Sequence, residues 1–182
     1  MKEIRLHGRG GQGAALGARV IVTAYVHEGK WASCFPSFGA ERRGPPVMAF
    51  VRLDDKPVRE VTQVYNPDCL IVIDPYLVSL PGIFNGIKPG GFLVLNAAKP
   101  VTERYHQNLS TIGSVDATRI GLEEIGVPVT NTCMLGAFIR TTGWLQLDSI
   151  LFSLKEYFTG GMLEKNIRCV KRGFEETNII RF

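Results

Sequence analysis

The sequence predicts an α/β fold of three layers, with a mostly parallel sheet, an antiparallel hairpin, a Rossmann-like start and a helical C-terminal third. Three observations carry this prediction. A strand pattern in residues 2–7 is followed by a glycine-rich loop and a helical pattern, which is how a βα unit begins. A short apolar run at residues 69–73 is typical of a parallel strand buried on both faces. The last third repeats apolar residues at helical spacing.

The first βα unit has a strand at residues 2–7, in which Ile4 and Leu6 alternate with polar residues. A helix is predicted over residues 14–28, with small side chains in its first turns and Gly29 as its stop. Residues 31–35 form the predicted second strand.

An antiparallel element is predicted next. Residues 36–46 contain prolines and glycines that indicate an ordered loop. Residues 47–53 form a strand pattern, and a turn centred on Pro57 leads to an extended stretch at 58–61. We expect these two stretches to pair as a hairpin.

The remaining elements continue the α/β pattern and then become helical. The predicted elements are strands at residues 69–73, 92–96 and 112–115 and helices at 118–125, 131–142, 149–158 and 163–174. The chain has no internal repeat, low-complexity tract or linker, so a single domain spanning residues 1–182 is expected.

Composition narrows the functional classes. Hydrophobic residues make up 45% of the 182 residues, which is typical of a globular protein. No apolar run approaches the ~20 residues of a membrane span, and the N-terminal residues do not form a signal peptide, so a cytoplasmic location without membrane contact is expected.

Charge is distributed unevenly along the chain. Residues 1–60 carry ten Lys or Arg and six Asp or Glu, whereas residues 61–182 carry eleven of each. The whole excess of +4 therefore lies in the first third, where it favours an anionic ligand or partner unless the asymmetry arose by chance. No basic stripe interleaved with aromatic residues indicates nucleic-acid binding.

Metal binding and self-contained catalysis are not predicted. The cysteines are too widely spaced for a typical zinc or iron–sulfur site, and a cytosolic setting argues against disulfides; they are Cys34, Cys69, Cys133 and Cys169. No nucleophile elbow, P-loop or zinc-protease motif is present. We therefore assign no catalytic residue and no metal ligand.

The glycine-rich loop is the main candidate site, and it consists of Gly8, Arg9, Gly10, Gly11, Gln12 and Gly13. Glycines let a backbone approach a phosphate, the following helix N-terminus favours an anion, and Arg9 adds a guanidinium. The loop satisfies the dinucleotide fingerprint in form, but no acidic residue ends the second strand to hold a ribose. Three interpretations remain: a tight structural turn, a phosphate site shared with a partner, or a dinucleotide site.

Two neighbouring residues also merit attention. His7 borders the loop, where it contacts a ligand or serves as a hydrogen-bonded strand end. Asp74 follows the buried strand at its carboxyl end, where α/β ligand crevices lie, and it alternatively caps the turn that begins at Pro75.

Three stretches together resemble one protein family in order and spacing along nearly the whole chain. They are residues 5–13 (RLHGRGGQG), 38–50 (FGAERRGPPVMAF) and 131–138 (NTCMLGAF). They resemble the gamma subunit of the 2-oxoacid:ferredoxin oxidoreductases, which also occurs as a domain of single-chain pyruvate:ferredoxin oxidoreductase. Arg9 and the segment of Glu41, Arg42, Arg43 and Gly44 look most like the pyruvate or branched-chain type.

The resemblance implies a subunit that is inactive alone. Complexes of this family oxidatively decarboxylate a 2-oxoacid, transfer the acyl group to coenzyme A and reduce ferredoxin. They use thiamine diphosphate, magnesium and iron–sulfur clusters, which the resemblance places on partner chains, one type binding thiamine and one resembling ferredoxin. This chain has neither a thiamine-binding signature nor a ferredoxin-type cysteine run.

The resemblance also suggests roles for both candidate segments. The loop at residues 8–13 is expected to face coenzyme A or another phosphate ligand at a subunit junction. Glu41, Arg42, Arg43 and Gly44 are expected to contact that anion or to dock a partner through ion pairs. The alternatives are a free-standing Rossmann-like nucleotide-binding protein and a purely architectural subunit.

Overall fold

The computed structural model describes residues 1–37 and 46–182, and for Pro46 it describes the backbone only. The predicted loop at 36–46 therefore lies mostly outside the described residues, and so do Glu41, Arg42, Arg43 and Gly44. No helix in the described part of the chain has both the length and the apolar character needed to cross a membrane.

The described residues form one seven-stranded sheet. Its strands are β1 (Lys2–Arg9), β2 (Trp31–Ser37), β3 (Pro46–Asp54), β4 (Cys69–Val72), β5 (Gly91–Asn96), β6 (Leu109–Val115) and β7 (Asn178–Arg181). Their order across the sheet is β2-β3-β1-β4-β5-β6-β7. Strands β1, β4, β5 and β6 are parallel, whereas β2, β3 and β7 are antiparallel to their neighbours. The α/β fold class is confirmed, and the sheet is mixed.

The sheet contains antiparallel strands, as predicted, but the predicted pairing of residues 47–53 with residues 58–61 was wrong. Strand β3 lies between β2 and β1 and does not pair with residues 58–61. The Arg52 guanidinium donates to the carbonyl oxygens of Thr62 and Gln63 at 2.7 and 3.0 Å, and Ser33 Oγ donates to the Glu60 carbonyl. Side chains thus satisfy these carbonyls, and Pro57 offers no N–H for a ladder.

One face of the sheet is covered by α-helices. They are α1 (Ala14–His27), α2 (Ala117–Glu124), α3 (Asn131–Thr142), α4 (Leu147–Ser153) and α5 (Gly160–Glu175). Strand residues such as Leu6 and Ile71 share this core with Phe138 of α3. The helical C-terminal third is confirmed, and β7 follows it as an edge strand that the sequence pattern did not indicate.

Helices α3 and α5 pack so closely that two glycines are required. A Cβ atom added at Gly136 would lie 2.0 Å from the Val170 carbonyl oxygen. One added at Gly173 would lie 2.1 Å from the Cys133 carbonyl oxygen. Since real Cβ atoms do not approach this closely, neither position can accept alanine without a shift of the helices.

The opposite face is covered by the connection from β4 to β5. It includes a short 3₁₀ helix, Pro75–Ser79, and its Leu77, Ile83 and Ile87 pack against Leu70 and other strand residues. The third layer therefore consists of turns and a 3₁₀ helix.

The chain leaves β1 and β4 toward opposite faces of the sheet. After β1 it enters α1 on the helical face, and after β4 it enters the 3₁₀ helix on the other face. Ligands of α/β proteins bind where adjacent parallel strands diverge in this way, at their carboxyl ends. The glycine loop lies at this point.

Candidate functional site

The glycine loop is a tight turn that only glycine accommodates at two positions. Gly11 and Gly13 have φ angles of 88° and 79°, in the left-handed region. The Gln12 backbone N–H donates to the Arg9 carbonyl at 3.1 Å, and the Gln12 Oε1 accepts from the Arg9 backbone N–H at 2.7 Å. The turn is therefore held by its own residues.

The N-terminus of α1 is open to an anion. The Gly17 N–H bonds the Gly13 carbonyl at 2.9 Å as the helix begins, and no side chain caps the helix. The first turn contains no acidic residue. The backbone N–H groups at this end have no partner within the helix, and the helix dipole favours negative charge there. This geometry suits a phosphate group.

Asn131 lies against the loop, although it is 118 positions away from Gly13 in the chain. A Cβ atom at Gly13 would lie 2.5 Å from the Asn131 Nδ2 atom. Asn131 begins α3, is 5% exposed, and its Oδ1 atom is buried without a hydrogen-bond partner. Sequence reasoning did not select Asn131 as a site residue, although it opens the NTCMLGAF stretch.

Asp74 joins the ends of β1 and β4. Its Oδ2 atom accepts from Arg9 Nε at 2.9 Å and from Gln12 Nε2 at 3.1 Å. Its Oδ1 atom accepts from the Tyr76 backbone N–H at 2.9 Å, so Asp74 also caps the 3₁₀ helix. Of the two interpretations of Asp74, the cap of the turn at Pro75 is confirmed. The Asp74 carboxylate, at the end of the strand next to β1, is therefore hydrogen-bonded by two side chains of the glycine loop.

His7 is bound to Arg5 beneath the loop. The Arg5 Nε–H donates to His7 Nε2 at 3.0 Å, and Arg5 Nη2 donates to the carbonyls of Ile83 and Asn85 at 2.8 and 3.0 Å. Burial, together with the Arg5 charge, lowers the pKa of His7 to about 3. His7 is thus the hydrogen-bonded residue that the sequence suggested, and its ring is neutral near pH 7.

The residues that flank the segment of Glu41, Arg42, Arg43 and Gly44 lie at the same end of the strands as the glycine loop. Strand β3 begins at Pro46, which lies opposite Arg9 in the ladder, and Val47 lies opposite Gly8. Ser37, the last residue of β2, lies opposite Met48. The expected interface or anion contact of this segment stays a prediction.

The sheet order bears on the dinucleotide interpretation. Strand β2 lies at the sheet edge and is separated from β1 by β3, so its end does not adjoin the loop as the second strand of a dinucleotide fold does. The parallel strand next to β1 is β4, and its Asp74 carboxylate is engaged by Arg9 and Gln12. A ribose would have to displace both contacts.

The four cysteines are free thiols, and two of them, Cys133 and Cys169, lie near each other where α3 packs on α5. Cys69, Cys133 and Cys169 are buried and Cys34 is half-buried, and burial raises the pKa of all four. Within residues 1–37 and 46–182 no group of three His, Cys, Asp or Glu side chains is placed to hold a metal ion. These residues therefore offer no donor set for an iron–sulfur cluster.

Comparison with known proteins gives matches along the whole chain. The family described as pyruvate ferredoxin/flavodoxin oxidoreductase matches residues 3–176. The pyruvate synthase subunit PorC of Methanothermobacter thermautotrophicus is 45% identical over 181 residues, covering 100% of this chain and 98% of that protein. The common gamma subunit of the pyruvate and ketoisovalerate oxidoreductases of Thermococcus kodakarensis is 44% identical over 180 residues, covering 97% of each chain.

Solved structures agree with the fold. The crystal structure of the pyruvate oxidoreductase subunit PORC from Thermotoga maritima matches with a TM-score of 0.86 and 37% identity, over 98% of this chain and 97% of that one. The 2-oxoglutarate:ferredoxin oxidoreductase of Magnetococcus marinus, solved with 2-oxoglutarate, coenzyme A and succinyl-CoA bound, matches with a TM-score of 0.78 and 19% identity. It aligns with 94% of this chain and 30% of its own length, and it shows the shared fold.

Proposed function

Since this chain belongs to the pyruvate ferredoxin/flavodoxin oxidoreductase family, we propose that it is the gamma-type subunit of a complex that oxidatively decarboxylates pyruvate or a related 2-oxoacid. The complex forms an acyl-CoA and reduces ferredoxin. The relatives named as gamma or PorC subunits are matched over 97% and 98% of their own length. The likeness therefore covers a whole subunit of this kind.

The redox and thiamine cofactors belong to partner subunits in this proposal. The described residues, which include all four cysteines, provide no donor set for a cluster. Thiamine diphosphate with magnesium is assigned to thiamine-binding chains, and the iron–sulfur clusters are assigned to a ferredoxin-like chain. This chain then contributes binding groups and contacts between subunits.

The glycine loop is proposed to hold phosphate groups of coenzyme A. The observation that carries this proposal is the uncapped N-terminus of α1, which follows a turn with left-handed glycines at 11 and 13. Arg9 adds a cation beside it, and the positive charge of residues 1–60 raises the local concentration of an anion. The 2-oxoglutarate:ferredoxin oxidoreductase of Magnetococcus marinus, which contains the shared fold, was solved with coenzyme A bound, and this agrees with the proposed class of ligand.

Arg42 and Arg43 are given two compatible roles. The attachment points of their segment lie beside the loop, with Pro46 opposite Arg9. From there the two guanidinium groups either add to the coenzyme A site or form ion pairs with a partner subunit.

Reconstitution tests the proposed function. The purified chain, given thiamine diphosphate, a 2-oxoacid, coenzyme A and an electron acceptor, is expected to show no turnover, whereas the complex with its partner subunits is active. Turnover by the chain alone would contradict the subunit assignment.

Substitutions in the complex test the loop. Arg9→Ala and Arg42→Ala are expected to raise the KM for coenzyme A, with a larger effect at low salt. Arg19→Ala, which removes the same charge from an exposed position of α1, is the matched control. An unchanged KM in both the Arg9→Ala and the Arg42→Ala complexes would assign these arginines to architecture.

A further inference from the structure

An open groove of about 670 Å³ lies at the opposite end of the sheet from the glycine loop. Three segments that lead into parallel strands form it, since Asn66 precedes β4, Lys88 precedes β5 and Asn108 precedes β6. This amino-end groove therefore lies at the amino ends of the strands, whereas ligands of α/β proteins bind at the carboxyl ends. It is also lined by Phe84, Asn85, Gly86, His106 and Gln107.

Carboxamide side chains dominate the lining of the groove. Asn66, Asn85 and Gln107 are exposed, and their side chains form no hydrogen bond with the residues at 1–37 and 46–182 that the structure describes. Asn108 Nδ2 donates to the Ile87 carbonyl at 2.8 Å, which joins the segments before β5 and β6. A carboxamide offers N–H donors and a carbonyl acceptor, the same groups as a peptide bond. The free carboxamides are therefore matched to a polypeptide backbone.

The groove carries no unbalanced charge. Among its lining residues, Lys88 is the only lysine, arginine or acidic residue, and its Nζ atom pairs with Glu3 at 3.2 Å and with Asp68 at 3.0 Å. The His106 Nδ1 atom accepts from the Asn108 backbone N–H at 3.1 Å, so this ring is neutral. An anionic ligand or an acidic segment would find no free cation here. The groove therefore favours an uncharged occupant.

Two exposed tyrosines adjoin the groove. Tyr65 is 72% exposed, and its carbonyl oxygen lies against Gly86 in the lining. Tyr105 is 45% exposed, and its ring stacks on that of Phe84 with the centroids 6.3 Å apart. Tyrosine is enriched in protein interfaces because it combines a large apolar ring with a hydroxyl group. This pair indicates a protein partner.

The lack of charge extends beyond the groove along the same face. The connection from β4 to β5 contains no charged residue at positions 75–87, although Tyr76 is exposed. On the helical face, by contrast, ion pairs join α2 to α5 and involve Arg119, Glu123, Glu124, Arg168, Arg172 and Glu176. Charged residues are depleted from the cores of protein interfaces. The face with the groove therefore suits a permanent partner.

We propose that the amino-end groove receives an extended, uncharged segment of a partner subunit of the oxidoreductase complex. Backbone N–H and C=O groups of that segment bond to the carboxamides of Asn66, Asn85 and Gln107, and its side chains pack against Tyr65 and Tyr105. This inference rests on the proposed function, which supplies the partner subunit. It places docking at the end of the sheet opposite the glycine loop, so the two surfaces are separate.

Loss of either tyrosine tests the docking site. The dissociation constant of the purified chain for its partner subunits is measured by sedimentation or interferometry. Tyr65→Ala and Tyr105→Ala should each raise it about tenfold or more, as removal of an interface anchor implies. Phe152→Ala is the matched control, because Phe152 is also 45% exposed and stacks on one ring, that of His27. Its dissociation constant should stay within about twofold of that of the native chain.

The unfolding temperatures of the three free chains show whether a variant is simply misfolded. All three side chains are exposed, so the temperatures should stay close to that of the native chain. Dissociation constants that stay within about twofold for both tyrosine variants would overturn the proposal.

Photo-crosslinking in the assembled complex identifies the occupant. With p-benzoylphenylalanine in place of Asn85, the crosslink should join this chain to an uncharged stretch of a partner subunit. A crosslink to a second copy of this chain, a crosslink to a charged stretch, or no crosslink in an active complex would contradict the proposal. If the bulky group prevents assembly, the dissociation constants of the two tyrosine variants decide.

The two proposals fail separately. If the native chain binds neither thiamine-binding nor ferredoxin-like subunits, the proposed function is wrong. If the native chain binds them and both tyrosine variants bind equally tightly, only the docking assignment is wrong.

Discussion

Arg9 and Asp74 form an ion pair at 2.9 Å that joins the glycine loop to the end of the neighbouring parallel strand. Gln12 bonds the same carboxylate oxygen. The pair fixes the direction of the Arg9 guanidinium, and it also places a negative charge beside the proposed phosphate site. The ion pair therefore opposes the binding of an anion to the loop.

Neutralising Asp74 is expected to strengthen coenzyme A binding. Asp74→Asn keeps an oxygen that accepts from the Tyr76 N–H, so the 3₁₀ helix retains its cap. Removing one negative charge at a distance of several ångströms should lower the KM for coenzyme A about threefold to tenfold. The effect should shrink in 0.5 M salt, since exposed charges are screened. Steady-state kinetics of the complex measure it, and a raised KM would show that Asp74 serves to position Arg9.

Gly13 is expected to be sensitive to alanine for two separable reasons. Gly13→Ala should lower the free energy of unfolding by at least about 1–3 kcal/mol, because φ is +79° and the new Cβ would strike Asn131. Gly10→Ala, where the space within 4 Å is empty, is the control and should change stability little. Urea unfolding of the isolated chain measures both.

A second substitution separates strain from steric conflict. In the double variant with Gly13→Ala and Asn131→Ala, the conflict is removed and only the backbone strain remains, so part of the lost stability should return. If the two effects simply add, Asn131 does not restrict the loop.

The close packing of α3 on α5 predicts opposite effects for two glycines of α5. Gly173→Ala should destabilise the chain by roughly 1–3 kcal/mol or more, because its Cβ would lie 2.1 Å from the Cys133 carbonyl oxygen. A Cβ atom added at Gly161 has no other atom within 4 Å, so Gly161→Ala should stabilise the helix by about 0.5–1 kcal/mol. Thermal unfolding of both variants checks the pair, and equal effects would contradict the packing described.

The low pKa of His7 in the folded chain predicts that the protein loses stability in acid. The unfolded chain binds a proton at His7 near pH 6.5, whereas the folded chain binds it only near pH 3. The contribution of His7 to stability is therefore complete above pH 6.5 and falls by about 1.4 kcal/mol per pH unit as the pH decreases between these values.

The matched variant for this prediction is His7→Gln, which does not titrate and still offers Arg5 an acceptor. Urea unfolding at several pH values should show a shallower acid loss for His7→Gln than for the native chain. Identical pH profiles for the two chains would show that His7 is not held neutral.

Sequence patterns predicted the elements whose signal is local. The run at residues 69–73 is apolar throughout because β4 is buried on both faces, and the glycines at 8–13 mark a turn that requires positive φ. The partners of β3 were not predictable in this way, because its pairing with β1 joins strands that are far apart in the sequence and no local pattern encodes that register. Strand β7 is a four-residue edge strand with only two apolar residues, so its pattern is weak.

The candidate site was predicted in part for the same reason. The loop and Asp74 each follow a strand and are visible in the sequence. The contacts of Asp74 with Arg9, and of Asn131 with Gly13, join residues 65 and 118 positions apart. They arise from the order of β1 and β4 in the sheet and from the placement of α3, which no local pattern encodes.

Hydrogen exchange of the assembled complex, measured with and without coenzyme A, tests the central claim most directly. If the loop and the N-terminus of α1 bind the phosphate groups, backbone amides of residues 8–16 should exchange more slowly when coenzyme A is bound, while those of α5 should not change. Unchanged exchange at residues 8–16, in a complex shown by turnover to bind coenzyme A, would contradict the account.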